Sequence, residues 1–375
     1  MVRLAAAVFA CTAVVVAVPA QRPPLRVLLG QQIVDCDTQQ ATVRLPILDR
    51  LPPPERLAGS VYCAGDVTID AAQGQMLSLL PGRVVLTALG DDPAGKVLWS
   101  VDRTASHTDT AIVGPQCWLA GDRVVLPRGG GSGEATGGIV ALDRATGAIV
   151  WERSGVPSTR ILVDGDLVIT AGKVAGTETL AAMSLANGAR AFAEPLDVRP
   201  PGGANSLVDG PHGIAVVLDA GFVVHDRAWS RLFAAAGRPA ALVAGTDGWF
   251  SVQSDEVVSW TRTGERRWAV RHPIGDFEQV ALTALADGRV VHFRHHGMSD
   301  TGFDAACFGA RDGEVEWTRR EPGLGIAHSK YWHRVSARTF GERLIFASQG
   351  AGGAFLVELD PATGDRRERA RFDPR

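Results

Sequence analysis

The stretch Ala141-Leu142-Asp143-Arg144-Ala145-Thr146-Gly147-Ala148-Ile149-Val150-Trp151 decides the fold. Apolar residues lead to an Asp, a Gly follows four residues on, and a Trp four further. The frame returns at Asp91…Gly95…Trp99, at Gly264…Trp268 and at Gly313…Trp317. Degraded copies stand at Gly188…Phe192 and at Asp360…Gly364…Glu368. The faintest has Trp229 in the Gly slot and Phe233 in the Trp slot. The closing residues run from 99 to 368 with a mean step of about 45 residues, the period of a four-stranded propeller blade. An all-β propeller of antiparallel blades is expected.

The chemistry of the frame supports this reading. Ile139-Val140-Ala141-Leu142 is a short apolar run with β-branched residues, a strand signal. Asp143 bonds its own downstream backbone and Gly147 supplies a positive φ, so 143–147 is a turn. Ala148 to Trp151 is the returning strand, and its flat ring fills the wedge between adjacent sheets. A second phrase, Gly-charged-apolar-apolar, precedes each hairpin: Gly82-Arg83-Val84-Val85, Gly165-Asp166-Leu167-Val168 and Gly288-Arg289-Val290-Val291 are examples. It reads as a turn leading into an inner strand. The two phrases together give four strands per unit. At this period the chain after residue 20 holds close to eight units, with seven as the alternative. The eighth draws on residues 25–64, where Arg26-Val27-Leu28-Leu29, Ala41-Thr42-Val43-Arg44-Leu45 and Ser60-Val61-Tyr62-Cys63 read as strands. The phrase Thr68-Ile69-Asp70…Gly74 lies too close to Gly95 for a blade of its own and belongs to the first.

Over roughly residues 65 to 370 the frame resembles the tryptophan-docking repeat of the PQQ-like (pyrroloquinoline-quinone, quinoprotein alcohol dehydrogenase-like) β-propeller family. That family also includes the propeller lipoprotein of the bacterial outer-membrane assembly machinery. The resemblance implies a structural role for Gly95, Trp99, Asp143, Gly147, Trp151, Gly188, Gly264, Trp268, Gly313, Trp317, Asp360 and Gly364. The family's dehydrogenases carry an adjacent Cys-Cys pair, an acidic base and Asn/Glu calcium ligands around the quinone. This chain has no Cys-Cys and no such ligand phrase, so neither a cofactor nor a catalytic residue is expected. The resemblance points to the non-enzymatic branch.

Residues 1–20 read as a signal peptide: Arg3, an apolar run from Leu4 to Val18, then Val18-Pro19-Ala20 as the cleavage site. Residues 21–375 read as a single propeller domain, with 21–64 as a ring-closing N-terminal segment. The run is short for a membrane span; an uncleaved N-terminus is the route by which the protein would stay near a membrane. In an oxidising compartment Cys36 and Cys63 form the easier disulfide, because both lie in the ring-closing segment. Cys117 and Cys307 fall in units that face each other across a ring.

A net charge of −3 carries no basic footprint for nucleic acid. His292, His295 and His296 cluster with Asp300 nearby, the residue types that hold zinc or copper. On a strand His292 and His296 share a face and His295 points away, so the bland reading, loop histidines, outweighs a metal site. No Gly-x-Ser-x-Gly elbow, Walker loop or His-Glu-x-x-His occurs. The leading expectation is a monomeric, non-catalytic extracytoplasmic scaffold for a protein or peptide partner, periplasmic, cell-surface or secreted. The alternatives are a quinone-dependent oxidoreductase and a small-ligand or carbohydrate binder at the propeller channel.

Overall fold

The computed structural model describes residues 26–29, 32–35, 40–44, 63–64, 67–70, 73–80, 83–88, 96–102, 117–128, 138–157, 160–196, 204–273, 279–295, 302–322, 334–340, 343–350 and 353–372. Among them all regular structure is strand, arranged in eight antiparallel sheets. Seven sheets carry the seven frames in chain order. The first blade runs from Cys63–Ala64 to Lys96–Asp102 and has five strands. The second runs from Trp118–Ala120 to Ile149–Ser154, the third from Arg160–Asp164 to Arg190–Pro195, and the fourth from Ala204–Gly210 to Arg231–Ala236. The fifth runs from Ala241–Gly245 to Arg266–Arg271, the sixth from Gln279–Ala284 to Val315–Glu321, and the seventh from Arg334–Phe340 to Arg366–Phe372. These six have four strands each, hydrogen-bonded in sequence order. An eighth sheet has three strands, Arg26–Leu29, Gln32–Asp35 and Gln40–Arg44.

From the second blade to the seventh, first strands of successive blades touch one another, and in the first blade Val67–Asp70 meets Trp118–Ala120, so each blade starts on the inside and ends with its frame's closing residue on the outer strand. Both faces of a blade are therefore covered. In the second blade Val124 and Leu126 pack toward Leu86 and Trp99 of the first. Val125 and Ile139 pack toward Ile161 and Val168 of the third. Alternate side chains of one strand thus serve two different cores. This is why the middle strands read as unbroken apolar runs instead of alternating with polar residues.

Every sheet breaks register at one equivalent point in its last hairpin. In the second blade Ala141 pairs Trp151 and Leu142 pairs Ile149, leaving Val150 as a bulge. The same shift falls at Leu86/Thr87, Ala182/Met183, Val224/His225, Ser259/Trp260, Cys307/Phe308 and Glu358/Leu359. It also falls at Ile33/Val34, where Ile33 pairs Val43. The N-terminal sheet is therefore a further copy of the same hairpin, with Val43 in the closing slot.

Three sequence expectations change. The strand Gln32–Asp35 was not among the expected N-terminal strands. Cys63–Ala64 pairs with Val67–Asp70, so the end of the segment 21–64 belongs to the first blade. In that blade Arg83-Val84-Val85 opens the fourth strand, and the Asp70…Gly74 turn leads into the third. Residues 1–20, Gly95, Cys36, His296 and Trp332 lie outside the described residues.

Candidate partner-binding surface

The frame residues are consumed in joining blades. The Trp151 indole donates its N–H to the Leu185 carbonyl of the third blade at 2.8 Å. Gly188, at φ +67°, passes directly beneath the ring; a Cβ there would sit 2.7 Å from Trp151 Cε3. Trp99 repeats this on Gly147 of the second blade, donating to the Arg144 carbonyl at 2.7 Å. Trp268 does so on Gly313, donating to Ala310, and Trp317 on Gly364, donating to Pro361. The glycines are needed for two reasons at once: a left-handed backbone and a ring in van der Waals contact. Where the Gly slot holds Trp229, φ is +69° and the ring stacks on Phe192 at 5.1 Å, so the degraded copy keeps the interface by another route. Phe233 closes on Gly264. Asp143 accepts from the Thr146 amide and hydroxyl, and these bonds hold its carboxyl below the usual range. Asp360 is held low chiefly by Arg367.

Sequence reasoning missed a second inter-blade device. Arg144, one residue after the frame Asp, is buried and reaches back to the first blade. It donates to Asp70 at 2.8 Å, to Gln75 at 2.7 Å and to the Gly121 carbonyl. Arg227, at the same frame position, pairs with Asp164 of the third blade and with Asp209. An arginine following the frame Asp, with an Asp closing an early strand of the previous unit (Val67–Asp70 or Arg160–Asp164), is the signal that marks it.

The histidines separate. His292 and His295 lie on opposite faces of the strand Val290–His295. His292 faces the fifth blade, its Nδ1 2.6 Å from Nδ1 of His272. Burial, with His272 and Arg294 adding to it, pushes its pKa down to about 3. His295 faces Phe346 of the seventh blade. No group of three His, Cys, Asp or Glu side chains is gathered among the described residues. Cys117 and Cys307 are buried in different blades, and burial pushes the Cys307 thiol up to about 12.

The outer strands differ in the two positions preceding the closing residue. These are Val97-Leu98 and Ile149-Val150 in the first and second blades. They become Arg190-Ala191, Arg231-Leu232, Arg266-Arg267, Val315-Glu316 and Arg366-Arg367 in the third to seventh. The bulge turns the second of each pair outward. Val97 is 51% exposed, Leu98 40%, Ile149 62% and Val150 41%. Charged residues at such edges ward off strand pairing with other chains. At these two positions the third to seventh blades carry at least one charge, with Val315 of the sixth 51% exposed beside Glu316, and the first two carry none, their nearest charges being Lys96, Asp102, Glu152 and Arg153 elsewhere on the same strands.

A profile for the family described as "Outer membrane protein assembly factor BamB" matches residues 63–238. No curated protein sequence matches the chain. Among solved structures, BamB from Moraxella catarrhalis is 17% identical, with 80% of this chain and 84% of that one covered and a TM-score of 0.53. A quinohemoprotein alcohol dehydrogenase from Comamonas testosteroni is 13% identical, covering 82% of this chain and 66% of that longer one, at a TM-score of 0.53. Apo AztD from Citrobacter koseri is 9% identical over 93% of this chain and 94% of its own, at 0.55. At such identities these likenesses speak to fold alone. Blade order, docked indoles and these likenesses agree on the fold, a β-propeller, and over residues 63–238 the chain is similar to the PQQ-like assembly-factor family.

Proposed function

We propose that the chain is a non-catalytic extracytoplasmic scaffold that holds a protein or peptide partner on the outer rim of its first and second blades. The observation that carries this reading is the pair of exposed apolar dipeptides on adjacent outer strands, Val97-Leu98 and Ile149-Val150. Exposed apolar side chains grouped on neighbouring elements mark interaction sites. Both edges fall within the segment that matches the assembly-factor profile. The leader-like residues 1–20 support the compartment. The tryptophans and glycines of the described frames are engaged in blade packing, in keeping with a structural role for the repeat. A photo-crosslinking side chain at Ile149, in cells, is expected to give one discrete protein adduct that Val97→Lys weakens. The same probe at exposed Arg266 is the control. Equal adduct patterns from 149 and 266 would sink the rim assignment.

A further inference from the structure

Between the fifth and sixth blades a cleft of about 450 Å³ opens at the turn end of the sheets, far in sequence from the apolar rim. That volume suits a ligand of one or two residues' size. Its inner wall includes Phe250 and Ser259, both buried. They are cross-strand partners, and Ser259 is also paired with Trp268, so all three share one face. The Ser259 hydroxyl is fully buried and has no hydrogen-bond partner. Leaving such a group unbonded costs about 1–3 kcal/mol, so a polar group placed beside it would be welcomed.

The charged residues that line the mouth are two aspartates and two arginines. Each aspartate already has its own arginine: Asp247 meets Arg262 at 3.2 Å and Asp287 meets Arg289 at 2.7 Å. Arg289 holds the Asp287 carboxyl below its usual range. Two further arginines line the cleft without a carboxylate of their own among the described residues. Arg267, the bulge residue of the fifth blade, donates to the Asp247 carbonyl at 2.7 Å. Arg311 is exposed on the sixth-blade turn. A guanidinium fork matches a carboxylate, and the aromatic wall and buried hydroxyl behind it match a short body that is apolar with one polar atom.

We infer that this cleft binds a carboxylate carried on a short, largely apolar body, with Arg267 and Arg311 taking the charge and Ser259 a hydrogen bond inside. The carboxylate has two possible sources: a free small organic acid or the C-terminus of a polypeptide. The inference does not depend on the rim reading, since the residues are on different blades.

The test uses the full chain and fluorescence polarisation of an N-terminally labelled Ala-Ala-Phe peptide with a free C-terminus, its C-terminal amide, and hexanoate as competitor. Saturable binding of the free acid is expected, with the amide about tenfold weaker. Arg267→Gln and Arg311→Gln are each expected to weaken binding by about tenfold, a factor that rests on one charge-assisted contact. Ser259→Val fills the inner wall and is expected to abolish it. Displacement by hexanoate at matching concentrations assigns a free acid, and failure to displace assigns a chain terminus. Both arginines are exposed, so unchanged melting of the variants confirms folding; should one variant melt early, the other decides. No saturable binding of either probe at millimolar concentration would overturn the inference. So would equal binding of acid and amide, or binding that survives both arginine substitutions.

Discussion

Removing the indole of Trp151 tests the docking geometry on which the propeller reading stands. The ring is 6% exposed and packs on Gly188 with Val125, Ile139 and Val168 around it. Truncation to Ala leaves a cavity on a closed interface, and large-to-small changes of this kind cost about 3–5 kcal/mol. It also strips the Leu185 carbonyl of its donor, a bond worth about 1 kcal/mol net. Trp151→Phe separates the two effects. It keeps most of the buried ring and loses the N–H, so about 1–2 kcal/mol is expected, less than half the cost of Ala. Gly188→Ala approaches the same interface from the other side: its positive φ alone costs about 1–2 kcal/mol for a residue with a Cβ, before the ring is displaced. Urea unfolding followed by far-UV circular dichroism gives the free energies, and the slope of each transition checks that the transition stays cooperative. Trp317→Ala, the equivalent residue on the sixth blade, is expected to fall with Trp151→Ala. The reasoning fails if Trp151→Ala unfolds at the wild-type midpoint, or if Phe proves as costly as Ala while Gly188→Ala is silent.

Three further outcomes follow from individual groups. Arg144→Ala leaves Asp70 without its guanidinium on a largely buried clamp, and a loss of about 3–5 kcal/mol is expected in the same assay; a loss below that of an exposed arginine such as Arg266 would refute the clamp. His292 titrates near 3 in the fold against an ordinary 6.5, so the unfolded chain takes up the proton first as the pH falls. Its contribution is whole above pH 6.5 and drains by about 1.4 kcal/mol per pH unit toward 3, and His292→Gln should flatten that slope in stability measured from pH 7 to 4. An unchanged slope removes the buried neutral histidine as its cause. Cys36 and Cys63 are expected to be bridged, closing a loop worth roughly 3 kcal/mol in the chain-entropy picture; non-reducing peptide mapping that finds both thiols free refutes the pair.

Much of the architecture was legible because one local phrase repeats. Asp143 through Trp151 contains its own turn chemistry, its own strand and its own wedge, so the hairpin could be read without knowing what it packs against. Even the degraded copy at Trp229 and Phe233 is legible, because register with its neighbours survives the loss of both signature residues. The candidate surface was less legible. Val97-Leu98 and Ile149-Val150 are ordinary strand residues in isolation. They stand out only against Arg190, Arg231, Arg266 and Arg366 at the same register, and only the bulge explains why the second of each pair turns outward.

What the sequence determined by itself was the repeat, its period and the residue that closes each unit, since these rest on backbone preferences and spacing within a few residues. What the tertiary structure decided was every relation between units. Trp151 finds the Leu185 carbonyl, Arg144 finds Asp70 across 74 positions of chain, and His292 and His295 part to opposite neighbours. The cleft that gathers Ser259, Arg267 and Arg311 exists only where two blades meet. Such contacts depend on how whole sheets stack face to face, and no local pattern encodes the distance between residues that belong to different sheets.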